Sequence, residues 1–114
     1  MKIYHYPKCG KSREGMAILK SHTNDFETKL YMKEGLRKEE IEEILRKGKF
    51  DIMDLIRTNE KYYKEHLKNL DLDQQKGIEA LLKEPRLLQR PIVVDDAKAV
   101  IGRPPEDIHN LFSA

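Results

Sequence analysis

Lys2-Ile3-Tyr4-His5-Tyr6-Pro7-Lys8-Cys9-Gly10-Lys11-Ser12 begins as one kind of structure and ends as another. The alternating, aromatic-rich residues 2–6 read as a short strand. Pro7 has no N–H for a sheet ladder and should end it. After Cys9-Gly10 the pattern predicts a helix reaching Lys20, with Met16 and Leu19 facing inward beside Ala17 and the Lys20 stem. Residues 26–31 alternate again and suit a second strand. Strand, helix and strand within about 30 residues make a βαβ unit.

Further along, the apolar spacing becomes helical. Leu36, Ile41, Ile44 and Leu45 form a stripe, with Arg37, Lys38, Glu39, Glu42 and Glu43 off it, and Gly48 is the expected stop. Asp51 is placed to cap a short helix carrying Ile52, Leu55 and Ile56. Another helical piece runs through Tyr62, Tyr63 and Leu67. Asp71 or Asp73 introduces a helix on Ile78, Leu81 and Leu82, closed by Pro85. Ile92-Val93-Val94 and Ala99-Val100-Ile101 flank Asp95-Asp96-Ala97-Lys98 as a hairpin with a polar turn. Pro104-Pro105-Glu106-Asp107 suits the first turn of a last helix, with Ile108, Leu111 and Phe112 inward. The order β-α-β, helices, β-β-α predicts an α/β fold with an all-helical insertion. At 114 residues, with no repeat or linker, one domain over residues 1–114 is expected.

Composition limits the function classes. Charged residues are 37% and hydrophobic residues 39%, so a thin core lies under a heavily solvated surface. The net charge of +2 lacks the one-sided excess of a nucleic-acid binder. No apolar run approaches about 18 residues, and MKIYHYPKCG does not read as a signal peptide. One cysteine cannot close an internal disulfide. The expectation is a small, soluble, cytoplasmic chain with no membrane or nucleic-acid partner, acting as a monomer.

That cysteine sits where the strand hands over to the helix. A helix N-terminus presents unpaired N–H groups and a partial positive charge, which favour a thiolate. Lys8, Lys11 and Arg13 add cations nearby, and His5 is placed to donate a hydrogen bond to the sulfur. The bland alternative, a small buried hydrophobe, fits poorly with flanks of Pro, Lys, Gly, Lys and Ser. The same loop suits an anion, with Ser12 and the first helical N–H groups pointing at its oxygens. Gly10-Lys11-Ser12 only superficially resembles a nucleotide-binding P-loop, because His5 occupies the position where that motif needs its first glycine. Ser12 also rules out a Cys-x-x-Cys dithiol, so the reductant of Cys9 must be another molecule or chain. No metal site is expected, since His5, His22, His66 and His109 share no ligand spacing with Cys9.

A thiolate approaching an oxyanion needs fixed positive charge, and the arginine fork supplies it with matching geometry. Arg90 at the entry of one predicted strand, Arg103 at the exit of the next, and Arg57 after residues 51–56 are the candidates. Taken singly, each reads as an ordinary surface arginine.

Together these segments carry a resemblance. Ile3-Tyr4-His5-Tyr6-Pro7-Lys8-Cys9-Gly10-Lys11-Ser12-Arg13, Leu55-Ile56-Arg57-Thr58-Asn59, Arg90-Pro91-Ile92-Val93 and Ile101-Gly102-Arg103-Pro104-Pro105-Glu106 are similar to the glutaredoxin-coupled arsenate reductases of the ArsC family. The Arg-Pro-Ile segment is shared across the ArsC/Spx/YffB group. Cys-x-x-Ser-Arg with Leu-Ile-Arg-x-Asn is more specific to the reductases. The resemblance implies a thioredoxin-like fold with a helical insertion at roughly residues 34–86, and a cis Pro91. It makes Cys9 the nucleophile toward arsenate and His5 the residue that keeps it ionised. Arg57, Arg90 and Arg103 become the oxyanion ligands. Glutathione is then the co-substrate, with no bound cofactor, and glutaredoxin the protein partner that resolves the adduct as arsenite leaves. Tyr6 departs from the pattern, because many relatives carry Asn there.

Two other readings belong to the same group. A Spx-like regulator would contact RNA polymerase, but such regulators usually switch through a Cys-x-x-Cys pair that Ser12 removes. A YffB-like glutathione-dependent thiol reductase would use another substrate, and Arg57 weighs against it.

Overall fold

Ile3 and Val93 stand opposite each other at the centre of the sheet. The computed structural model describes residues 1–113. Strand β1 (Lys2–Tyr4) pairs in parallel with β2 (Glu27–Lys29) and antiparallel with β3 (Ile92–Val94), which pairs antiparallel with β4 (Ala99–Ile101). The order β2-β1-β3-β4 puts the two most buried strands in the middle. Ile3 and Val93 lie in one row, and Leu19, Ile108 and Leu111 close over them as a core. Each fully buried aliphatic side chain there contributes about 1.5–3 kcal/mol. This mixed sheet with its helices is the thioredoxin-like α/β arrangement.

Helix α1 (Gly10–His22) carries the crossover from β1 to β2. Its buried face is Ser12, Gly15 and Leu19, rather than the Met16–Leu19 face expected from apolar spacing. Met16 is half-buried, and Ala17 and Lys20 are exposed. The reason is close approach, since a Cβ on Gly15 would stand 2.4 Å from Pro91 Cγ and 2.9 Å from Ile108 Cδ1. The chain's last helical segment, Pro105–Phe112, is a 3-10 helix.

The described residues form two compact units, Met1–Glu34 with the chain from Arg90 onward, and Gly35–Gln89. The second holds α3 (Lys38–Gly48), which follows the short α2 (Tyr31–Glu34), and α4 (Gln74–Lys83). It also holds 3-10 turns at Ile52–Leu55 and Pro85–Leu87 and a π-helical turn at Tyr63–Leu67. Asp73 caps α4, accepting from Lys76 N–H at 2.8 Å. Gly48 is not the left-handed stop expected for α3; Lys49 takes that conformation at φ 56°. Gly48 instead leaves room for Phe50, whose ring would lie 2.0 Å from a Cβ there. Among the described residues, no helix is long and apolar enough to cross a membrane.

Candidate active site

β1 ends two residues earlier than the alternation predicts, and this sets up the site. His5 N–H still bonds Lys29 O at 3.0 Å, but Tyr6 N–H turns away to Ser12 Oγ at 2.9 Å. The loop then closes on itself, with Cys9 N–H donating to Tyr6 O at 3.0 Å. Cys9 is the residue before α1, in extended conformation (φ −97°, ψ 124°), and its side chain is partly exposed.

Burial pushes the Cys9 thiol up, but the hydrogen bonds to its sulfur outweigh this. The N–H groups of Ser12 and Lys11 and the Arg90 side chain draw the thiol down, and the charge of Arg90 adds to them. The net result is a thiol below its ordinary value, as expected where donors converge on a helix start. Arg103 Nη2 lies 3.9 Å from the sulfur, and its Nε donates to Arg90 O at 3.0 Å. One arginine thus positions the other. Arg90 is only 9% exposed, with its guanidinium carbon 5.0 Å from the centre of the Tyr6 ring. The Arg90–Pro91 bond is cis, and so is Arg103–Pro104.

Two other cations near Cys9 in sequence are engaged elsewhere. Lys11 pairs with Glu14 at 3.6 Å in the open, and Arg13 Nη1 donates to Pro7 O at 2.8 Å. His5 does not take the direct contact with the sulfur expected of it. Its Nδ1 shares a 2.8 Å hydrogen bond with Ser12 Oγ. Desolvation, with the charges of Lys20 and Arg13, holds the His5 imidazole below its ordinary value of 6.5 and favours the neutral ring. Ser12 likewise points inward: it is fully buried, and its hydroxyl serves His5 and Tyr6 rather than facing a ligand. The sequence pointed Ser12 at an anion and marked Tyr6 only as a departure from the family pattern, whereas the structure makes both supports of the Cys9 loop.

Arg57 belongs to the second unit. Its N–H bonds Leu87 O at 2.7 Å, and its Nη1 pairs with Glu60 Oε2 at 3.0 Å with both side chains largely buried. Among the described residues, no group of three or more His, Cys, Asp or Glu is placed to hold a metal ion.

A family model described as ArsC family matches residues 4–111. The chain belongs to the ArsC family. This ArsC-family chain is 39% identical over 112 residues to an arsenate reductase of Haemophilus influenzae, covering 96% of this chain and 97% of that one. It superimposes on the solved arsenate reductase from Vibrio cholerae with a TM-score of 0.88 at 32% identity, covering 96% and 97% of the two chains. It is also 30% identical over 112 residues to the regulatory protein MgsR of Bacillus subtilis, covering 97% and 89%.

Proposed function

We propose that this ArsC-family protein reduces arsenate to arsenite through Cys9, with glutathione as co-substrate and glutaredoxin as the resolving partner. The observation that carries the reading is the sulfur's surroundings. Arg103 Nη2 lies 3.9 Å from the sulfur, and the Arg90 side chain with the N–H groups of Ser12 and Lys11 draws the thiol down. A thiolate held in this way can attack pentavalent arsenic, forming a sulfur–arsenic bond as one oxygen leaves as water. Arg90 and Arg103 neutralise the approaching oxyanion, whose repulsion from the thiolate would otherwise oppose the encounter. The match to the Leu-Ile-Arg-x-Asn motif gives Arg57 the role of an oxyanion ligand in this reading. Glutathione attacks the Cys9 sulfur of the adduct, and the electron pair of the breaking sulfur–arsenic bond stays on arsenic as arsenite leaves. Glutaredoxin takes the glutathione from the resulting mixed disulfide to free Cys9. Supporting an external reductant, Cys9 is the chain's only cysteine. His5 acts on the sulfur through Ser12, whose hydroxyl it bonds and whose N–H helps lower the thiol.

The test is arsenite production by purified protein, with glutathione and glutaredoxin supplied and then omitted one at a time. The reading expects turnover with both, loss when either is withheld, and none from Cys9→Ser. Absence of arsenite, together with tight binding to an RNA polymerase subunit, would favour the regulatory reading that the similarity to MgsR keeps in view.

A further inference from the structure

Tyr6 is fixed at both of its backbone polar groups. Its N–H donates to Ser12 Oγ at 2.9 Å, and its carbonyl accepts from Cys9 N–H at 3.0 Å. One residue therefore sets the nucleophile's backbone and, through the same clamps, the root of an aromatic ring. That ring lies 5.0 Å from the Arg90 guanidinium carbon, within the roughly 6 Å over which a cation and a ring face attract. The attraction strengthens when the cation is desolvated, and Arg90 is more than nine-tenths buried. Arg90 is also the guanidinium that bonds the Cys9 sulfur.

We propose that Tyr6 is a positioning residue for the thiolate, its ring face holding the Arg90 guanidinium where it meets the Cys9 sulfur. A guanidinium on a flexible stem loses side-chain freedom when it is fixed. A ring that already stands in place reduces the number of orientations open to Arg90 before any substrate arrives. Arg103 adds a second restraint through the Arg90 carbonyl, so side chain and backbone of Arg90 are each held. The proposal deepens the reductase reading, but its test needs no arsenate.

Alkylation of Cys9 by iodoacetamide, followed against pH, reports on this sulfur alone because the chain has one cysteine. Tyr6→Leu removes the ring face and is expected to move the midpoint to higher pH, slowing alkylation near neutrality by about two- to tenfold. Tyr6→Phe keeps the face, loses only the hydroxyl and is expected to restore the original profile. In an Arg90→Gln background, Tyr6→Leu is expected to add nothing, as for two residues acting as one unit. A Tyr6→Leu profile that coincides with the unmodified chain's, or a Tyr6→Phe profile displaced as far as that of Tyr6→Leu, overturns the proposal. The unmodified chain gives a check independent of any variant's folding: ring current should move the Arg90 side-chain protons upfield in NMR, and random-coil positions would overturn it. An arsenite assay run alongside separates the two readings. The expected alkylation pattern without arsenite removes the reductase function and leaves the role of Tyr6 standing.

Discussion

His5 and Ser12, seven residues apart, meet in a buried 2.8 Å hydrogen bond that joins the end of β1 to the first turn of α1. The same hydroxyl takes the N–H of Tyr6, so one fully buried oxygen serves two partners on the loop that carries the nucleophile. Ser12→Ala should leave both without it. A cost of about 1–3 kcal/mol is expected, read from urea unfolding as a lower midpoint with an unchanged slope.

The His5 ring also makes stability depend on pH. Because its folded value is depressed by desolvation and by Lys20 and Arg13, the unfolded chain binds the proton more readily. Between the folded value and 6.5 the unfolded state therefore holds more protons, and stability rises with pH. Acidification from 6.5 downward should lower the unfolding free energy, and His5→Gln should flatten that part of the curve. An unaltered slope in the variant would remove His5 as the cause.

For Cys9 the sign runs through the thiolate. Its folded value lies below the ordinary one, so its contribution to stability is present above the unfolded value and lost as pH falls through the folded value. Alkylation of the native chain should reach half-maximal rate at lower pH than that of the urea-unfolded chain. Arg90→Gln should close much of this gap, because Arg90 bonds the sulfur and is itself buried. Arg103→Gln should close less, because its Nη2 stands 3.9 Å away on an exposed side chain. Equal effects would contradict the assigned geometry.

Gly15 is a packing site for the same region. Gly15→Ala should gain helix propensity of up to about 1 kcal/mol yet lose more to contact with Pro91 and Ile108. Net destabilisation of about 1–3 kcal/mol is expected by thermal or urea unfolding, with slower Cys9 alkylation if Pro91 carries Arg90 with it.

The β-α-β opening and the closing hairpin could be read directly, because alternation in residues 2–6 and the triplets Ile92-Val93-Val94 and Ala99-Val100-Ile101 need no partner to be recognised. The α1 face could not, since apolar spacing favours Met16 while close packing selects Gly15 and Ser12. Gly48 shows the same limit: a glycine at a helix end looks like a left-handed cap, and only the position of the Phe50 ring reveals another need. Within the site, the strand-to-helix position of Cys9 follows from the flanking pattern. Its closeness to Arg90 and Arg103 depends on how β3 and β4 pair, which local sequence does not contain. The direction of the His5 ring depends on where Ser12 comes to rest after one turn of helix.

Cys9 occupies the capping position of α1, where serine, threonine, aspartate or asparagine would ordinarily be the sturdier choice. Robustness and reactivity therefore pull on a single atom in opposite directions. A library screened only for heat resistance should drift from sulfur to oxygen there and yield a tougher, inert protein. Persistence of the thiol among active survivors would measure how strongly the chemistry is selected.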